Sequence, residues 1–166
     1  AAEGKLMFFC GGKSSVIERA TPLLEILSRR IIHAGDVGSG ALLKLVVNLP
    51  LAVYWQSLAE AITLGSSGGL AEDLMLDAIA DSSAALAVLT MKIPTILGAD
   101  LPVAFDMKSM EKDLNSILTT AQQLDLELPT TTSTLRSYSE AIEKGNMSKK
   151  DAVAVVNYLN NKSKSK

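Results

Sequence analysis

Two residues in this 166-residue chain stand out for chemistry. Lys44 and Asn48 are four apart, so they share one face of any helix that carries them. Around them lie Leu42, Leu43, Leu45, Val46, Val47, Leu49 and Leu51. An ammonium in such a setting needs a partner or a cavity. Desolvation of a lysine disfavours its charge, and that suits it to acid–base work. Asn48 offers both a donor and an acceptor, which can orient a hydroxyl or a carboxylate. A plainer reading stands beside this one: a lysine snorkelling to water from a helix end, next to a structural asparagine. Pro50 follows and removes a backbone donor, which predicts a bend beside the pair.

A second cluster surrounds the start of a methionine-striped segment: Phe105, Lys108, Lys112 and Asp113. Lys108 and Lys112 share a helix face and could meet a phosphate or carboxylate, or simply form a solvated face. Other chemistry is excluded by count. One cysteine, Cys10, permits no internal disulfide and no multi-cysteine zinc site. One histidine, His33, permits no two-histidine metal site. Gly12-Lys13-Ser14 lacks the first glycine of a P-loop, because that position is Met7. Gly35-Asp36-Val37-Gly38-Ser39-Gly40 lacks the third glycine of a dinucleotide fingerprint, because that position is Leu43. Its glycines allow a ligand or another backbone to come close, or serve a flexible junction.

The elements that must position these residues follow from periodicity. Leu6–Cys10 is an apolar run closed by Gly11-Gly12 and reads as a strand. Ser15 and Glu18 have capping-box spacing, and Pro22 should kink or restart the helix they open. Residues 30–33 form a second short strand, completing one βαβ unit. Ala41–Leu64 is apolar almost all round, which predicts a buried central helix. Leu70–Ala80 and Ser82–Lys92 read as shorter helices, the second stopped by Pro94. Met107, Met110, Leu114, Ile117, Ala121 and Leu124 give a helical stripe. Another helix ends at Gly145 as its C′ residue, and Ser148 with Asp151 marks the start of the last.

Composition agrees with a mainly α chain. Hydrophobic residues make up 48%, charged residues 20% and aromatics only 4%. The net charge of −2 provides no global basic field for nucleic acid or an anionic membrane. Lys44, Asn48, Pro50, Gln56 and Glu60 interrupt the most apolar stretch, so no membrane span is expected. No signal peptide is visible, and the expected location is the cytoplasm. The chain starts almost inside a strand and without an initiator Met, so it reads as a piece of a longer protein.

Gly35 to Asn48, GDVGSGALLKLVVN, resembles the G-x-G-x-x-x-K-x-x-x-N signature of the β-hydroxyacid dehydrogenases. These include 3-hydroxyisobutyrate dehydrogenase and tartronate semialdehyde reductase. GKLMFFCGG resembles the end of that family's Rossmann domain. FDMKSMEKDL and KGNMSKKDAVAVVNYL resemble its later segments. The resemblance implies a βαβ remnant of a truncated Rossmann domain over residues 1–36. It implies an all-α substrate and dimerisation domain around a long central helix over 37–166. By the same resemblance Lys44 is the catalytic acid/base, Asn48 orients substrate, and Phe105 and Lys112 contact the cofactor, NAD or NADP. The implied partners are a short hydroxyacid or semialdehyde and a second copy of the chain, with neither nucleic acid nor membrane, and the implied metal content is none. Many relatives have a second asparagine where this chain has Leu49. The fingerprint and the family's Ser-Gly-Gly loop lie upstream in relatives, so the chain alone is expected to be inactive. Two rival readings are a non-enzymatic helical association module and an imine or other carbonyl reductase on the same scaffold.

Overall fold

The computed structural model describes residues 4–164. β1 (Leu6–Cys10), α1 (Ser14–Leu27) and β2 (Ser28–His33) come first. The two strands pair in parallel, Phe8 opposite Ile31 and Cys10 opposite His33. This is the expected βαβ unit. α1 runs through Pro22 as one helix. Its N-cap is Lys13 and no side chain caps it, so the Ser15–Glu18 box does not form. Ala34 N donates to Cys10 O and Gly12 N to Gly35 O, both at 2.8 Å. These bonds extend the pairing into the following loop. His33 Nε2 lies 2.7 Å from Gly12 O and 3.1 Å from Gly35 O. Both partners are carbonyls, so this nitrogen carries the proton. His33 thus fastens the two strand ends together.

The remaining elements are helical: α2 (Ser39–Ser67), α3 (Glu72–Ala80), α4 (Leu89–Ile96), α5 (Met107–Gln123), α6 (Pro129–Glu143) and α7 (Ala154–Lys164). The chain divides into two compact units, one up to Asn48 and one from Leu49 onward. α2 crosses that boundary, and its two halves differ. From Leu49 on it supplies core: Ala52, Trp55, Leu58, Ala59 and Ile62 are buried. Before that, Leu42, Val46 and Val47 are 45%, 57% and 45% exposed. The expectation of a helix buried along its whole length is therefore corrected. α2 is long and apolar enough by length and composition to cross a membrane. From Leu49 on, the same helix sets Ala52, Trp55, Leu58, Ala59 and Ile62 into a core.

The second unit closes around that core. α5 buries Met107, Met110, Leu114, Ile117 and Ala121, the stripe read from the sequence, whereas Leu124 is exposed. α6 adds Tyr138 and Ala141, and α7 adds Val155 and Val156. Two expectations fail here. Residues 82–88 form turns, and α4 starts only at Leu89 and continues through Pro94. Ser82 explains the first of these. Its hydroxyl donates to Ile79 O and accepts from Ala84 N, a local alternative to helix. At the end of α6 the left-handed residue is Asn146 (φ 52), not Gly145. Gly145 N and Met147 N both donate to Ala141 O, at 3.0 and 3.4 Å, which closes the end of the helix. Gly145 is required for a different reason: a Cβ there would lie 2.6 Å from Ala141 O and 2.9 Å from Tyr158 Cδ2.

Candidate functional site

The loop from Gly35 to Gly40 sets the start of α2. Gly35 and Gly38 adopt φ of 124° and 97°, which favour glycine. Gly40 is buried, and a Cβ on it would lie 2.5 Å from Phe9 O. The loop glycines therefore let the first turn of α2 press against the end of β1. At Gly40 the close approach of another backbone is found.

Lys44 follows Gly40 by one turn and Asn48 follows Lys44 by one more, and both are half-buried. Pro50 has no amide hydrogen to offer Val46 O, so that carbonyl loses its helical donor. α2 nonetheless remains one helix across this point. The structure thus places Lys44 and Asn48 a turn apart on the part of α2 that belongs to the first unit.

Phe105 and Lys112 belong to the second unit. Phe105 is half-buried against the core. Its carbonyl accepts from Ala152 N at 2.8 Å. Met107 N donates to Lys150 O and Lys108 N to Ser148 O. Ser109 N donates to Asp106 Oδ1 at 2.7 Å, and Met110 N donates to Asp106 O. Every one of the first four amides of α5 is therefore bonded, and Asp106 is a formed N-cap. The Ser109 bonds hold the Asp106 carboxyl below its ordinary range.

Lys112 is exposed, with its side chain 71% accessible. Its Nζ lies 3.5 Å from Oδ1 of Asp113, a side chain only 3% accessible. Lys108 is committed elsewhere, donating to Glu111 at 2.6 Å. Glu111 also accepts from Ser139 at 2.7 Å. These bonds, Lys108's first, hold the Glu111 carboxyl below its ordinary range against the opposing effect of burial. An open groove of about 580 Å³ runs along this face, lined by Lys108, Glu111, Lys112, Asn115, Ser116 and Thr119. Of the two lysines read as a possible anion-binding pair, one is thus neutralised at close range.

Comparison with known proteins decides the family. Residues 38–159 match the profile described as the NAD-binding domain of NADP-dependent 3-hydroxyisobutyrate dehydrogenase. The chain belongs to this family. The match opens at Gly38, the first glycine of the lysine signature. Glyoxylate/succinic semialdehyde reductase 2 of Arabidopsis thaliana, a chloroplastic protein, is 29% identical over 159 residues, covering 96% of this chain and 44% of the relative. The 2-(hydroxymethyl)glutarate dehydrogenase of Eubacterium barkeri is 33% identical over 132 residues, covering 79% of this chain and 44% of the relative. Among solved structures, a 3-hydroxyisobutyrate dehydrogenase of Mycobacterium tuberculosis with L-serine superposes with a TM-score of 0.79 at 27% identity, covering 96% of this chain and 56% of that one. The chain spans about half the length of the curated relatives it matches.

One polar feature of this family member escaped the sequence reading. Lys92 on α4 donates to Asp151 Oδ2 at 2.6 Å, with the two side chains 17% and 6% accessible. The same carboxylate accepts from Ala104 N at 3.4 Å and, through Oδ1, from Val153 N at 3.3 Å. Tyr138 donates to Ala152 O at 2.9 Å, and its burial, aided by the Asp151 charge, pushes its pKa far up. Asp151 shows a helix-start spacing in sequence. A lysine fifty-nine residues earlier leaves no local trace of its bond.

Proposed function

We propose that the protein carrying this chain is an NAD(P)-dependent oxidoreductase of the β-hydroxyacid dehydrogenase family. Its substrate is a short 3-hydroxyacid or the corresponding semialdehyde. The observation that carries this reading is the Lys44–Asn48 pair, one turn apart on α2 inside the stretch that matches the family profile.

The donor set suits such ligands. Lys44 brings an amine that can take a hydroxyl proton and, as the ammonium, give one back. Asn48 brings an amide that can hold a hydroxyl or carboxylate in one orientation. Lys112 brings an exposed cation for an anionic dinucleotide, and Phe105 an apolar ring that is only partly buried. The nicotinamide, when bound, supplies hydride exchange at the carbinol carbon. Lys44 is the general acid/base at the substrate oxygen, Asn48 orients the substrate, and Phe105 and Lys112 contact the cofactor, NAD or NADP. Residues 1–36 serve as the edge of the dinucleotide-binding domain and 37–166 as the substrate and dimerisation domain. The protein works in the cytoplasm as a homodimer or larger homo-oligomer, and this chain by itself turns nothing over.

The deciding experiment measures NAD(P)H oxidation with short semialdehydes by the complete protein and by its Lys44→Ala variant. Loss of turnover in a folded variant supports the reading. Full turnover removes Lys44 from the mechanism. One observation favours a second reading, a helical association module: Leu42, Val46 and Val47 present an apolar face at the start of α2. A folded, cofactor-loaded protein inert toward every short hydroxyacid and semialdehyde would favour that alternative.

A further inference from the structure

We infer that the Lys92–Asp151 ion pair is a positioning device for Phe105 and for the start of α5, and so for the cofactor contacts proposed at Phe105 and Lys112. The inference rests on that cofactor reading and extends it to two residues that touch no ligand.

The geometry is that of a clamp. Residues 104–108 lie against 148–152 through a short series of bonds. Ala152 N donates to Phe105 O at 2.8 Å, Met107 N to Lys150 O at 2.9 Å and Lys108 N to Ser148 O at 3.1 Å. Asp106 and Asp151 pair as an isolated antiparallel bridge. The Asp151 carboxylate fixes both sides of this ladder at once. Oδ2 accepts from Ala104 N, on the residue before Phe105, and Oδ1 accepts from Val153 N, on its own side. Lys92 then ties the same carboxylate to α4.

Burial makes the pair hard to do without. A carboxylate taken out of water and left without its cation is strongly disfavoured, so removing Lys92 should move the Asp151 side chain toward solvent. That movement loosens its hold on the Ala104 amide. Phe105 would then lose one of the two bonds that set its backbone, at Ala104 N and Phe105 O. The first turn of α5, one residue further on, depends on the same ladder for the Met107 and Lys108 amides. Lys112 is one helical turn past Lys108, so a shift of that turn carries its ammonium along.

The test uses the complete protein with Lys92→Met, Lys92→Arg, Asp151→Asn and Lys112→Ala variants. Two readouts are taken: NADH and NADPH affinity by fluorescence titration, and hydrogen exchange at the amides of 104, 107 and 108 against those of α6. The expected result for Lys92→Met and Asp151→Asn is faster exchange at those three amides, unchanged exchange in α6 and dinucleotide affinity weakened by about 2- to 30-fold, the range for residues that act without touching the ligand. Lys92→Arg, which keeps the charge, should restore both. Lys112→Ala should weaken binding without touching exchange. If Lys112→Ala weakens binding while both clamp variants leave affinity unchanged, the positioning proposal is overturned and the cofactor reading stands. If Lys112→Ala and the clamp variants all bind as well as the native protein, the cofactor reading of this region fails and takes the proposal with it. Should Lys92→Met not fold, Asp151→Asn carries the same comparison.

Discussion

Gly11 and Gly40 meet backbone to backbone: a Cβ on Gly11 would lie 2.9 Å from Gly40 N, and a Cβ on Gly40 would lie 2.9 Å from Gly11 N. Each would also crowd a carbonyl at 2.5 Å, that of Asp36 or Phe9. Backbone cannot yield as a flexible side chain does. Gly11→Ala or Gly40→Ala should therefore destabilise the first unit by about 1–3 kcal/mol, the usual cost of overpacking. Because Lys44 is one turn beyond Gly40, the same changes should lower turnover of the complete protein. A thermal melt and an assay of each variant check this, and a Gly40→Ala protein with native stability would contradict the close contact.

Replacing Lys44 by Ala should lower the turnover of the complete protein by about 10²–10⁴-fold, the range of one general acid/base group. Asn48→Ala should raise the substrate KM and lower kcat, since orientation is lost together with binding. Steady-state kinetics with one short semialdehyde distinguish the two. Equal small effects from both would argue that neither residue touches the reacting group.

Gly145 and Asn146 should respond in opposite ways. Gly145→Ala places a methyl against Ala141 O and the Tyr158 ring and should cost stability on the order of 1–3 kcal/mol. Asn146→Gly relieves a left-handed residue at φ 52 and should be neutral or slightly stabilising. Chemical denaturation of both variants tests the pair, and the reverse order would mean that the turn is misassigned.

Glu140 accepts from Lys162 at 2.7 Å and from Lys144 at 2.9 Å. Those bonds, Lys162's first, hold its carboxyl at about 2, below the ordinary value of 4.5. A depressed folded-state pKa contributes stability that is present above the unfolded value and lost as pH falls through the folded one. The contribution should therefore fade between pH 4.5 and about 2. Asp106 and Glu111, both also lowered, act in the same direction. Denaturant midpoints between pH 7 and pH 3 should fall less steeply for Glu140→Gln than for the native chain. Parallel curves would show that the exposed ion pairs are screened away.

Tyr138→Phe removes the donor to Ala152 O and leaves that buried carbonyl unpaired. The expected cost is roughly 1–3 kcal/mol. Asp106→Ala removes the α5 cap and should lower the midpoint. Both are read from urea midpoints, and a Tyr138→Phe midpoint equal to the native one would show that water replaces the hydroxyl.

Local pattern fixes much of this molecule. The run Leu6–Cys10, the stripe from Met107 to Ala121 and the glycine at 40 are short-range signals, and each has its expected structural consequence. Lys44 and Asn48 share a face because four residues make about one turn of helix, which needs no tertiary knowledge. Tertiary structure decided the rest. Whether an apolar helix is covered depends on what packs against it, so the exposed start of α2 could not be read from its own residues. The turns at 82–88 arise because a serine hydroxyl outbids the helix locally. The Lys92–Asp151 bond joins residues fifty-nine apart, and only the packing of α4 against α7 brings them within 2.6 Å. Periodicity reports which side of an element is apolar, whereas a buried charge pair depends on two elements meeting, and that is settled only when the chain folds.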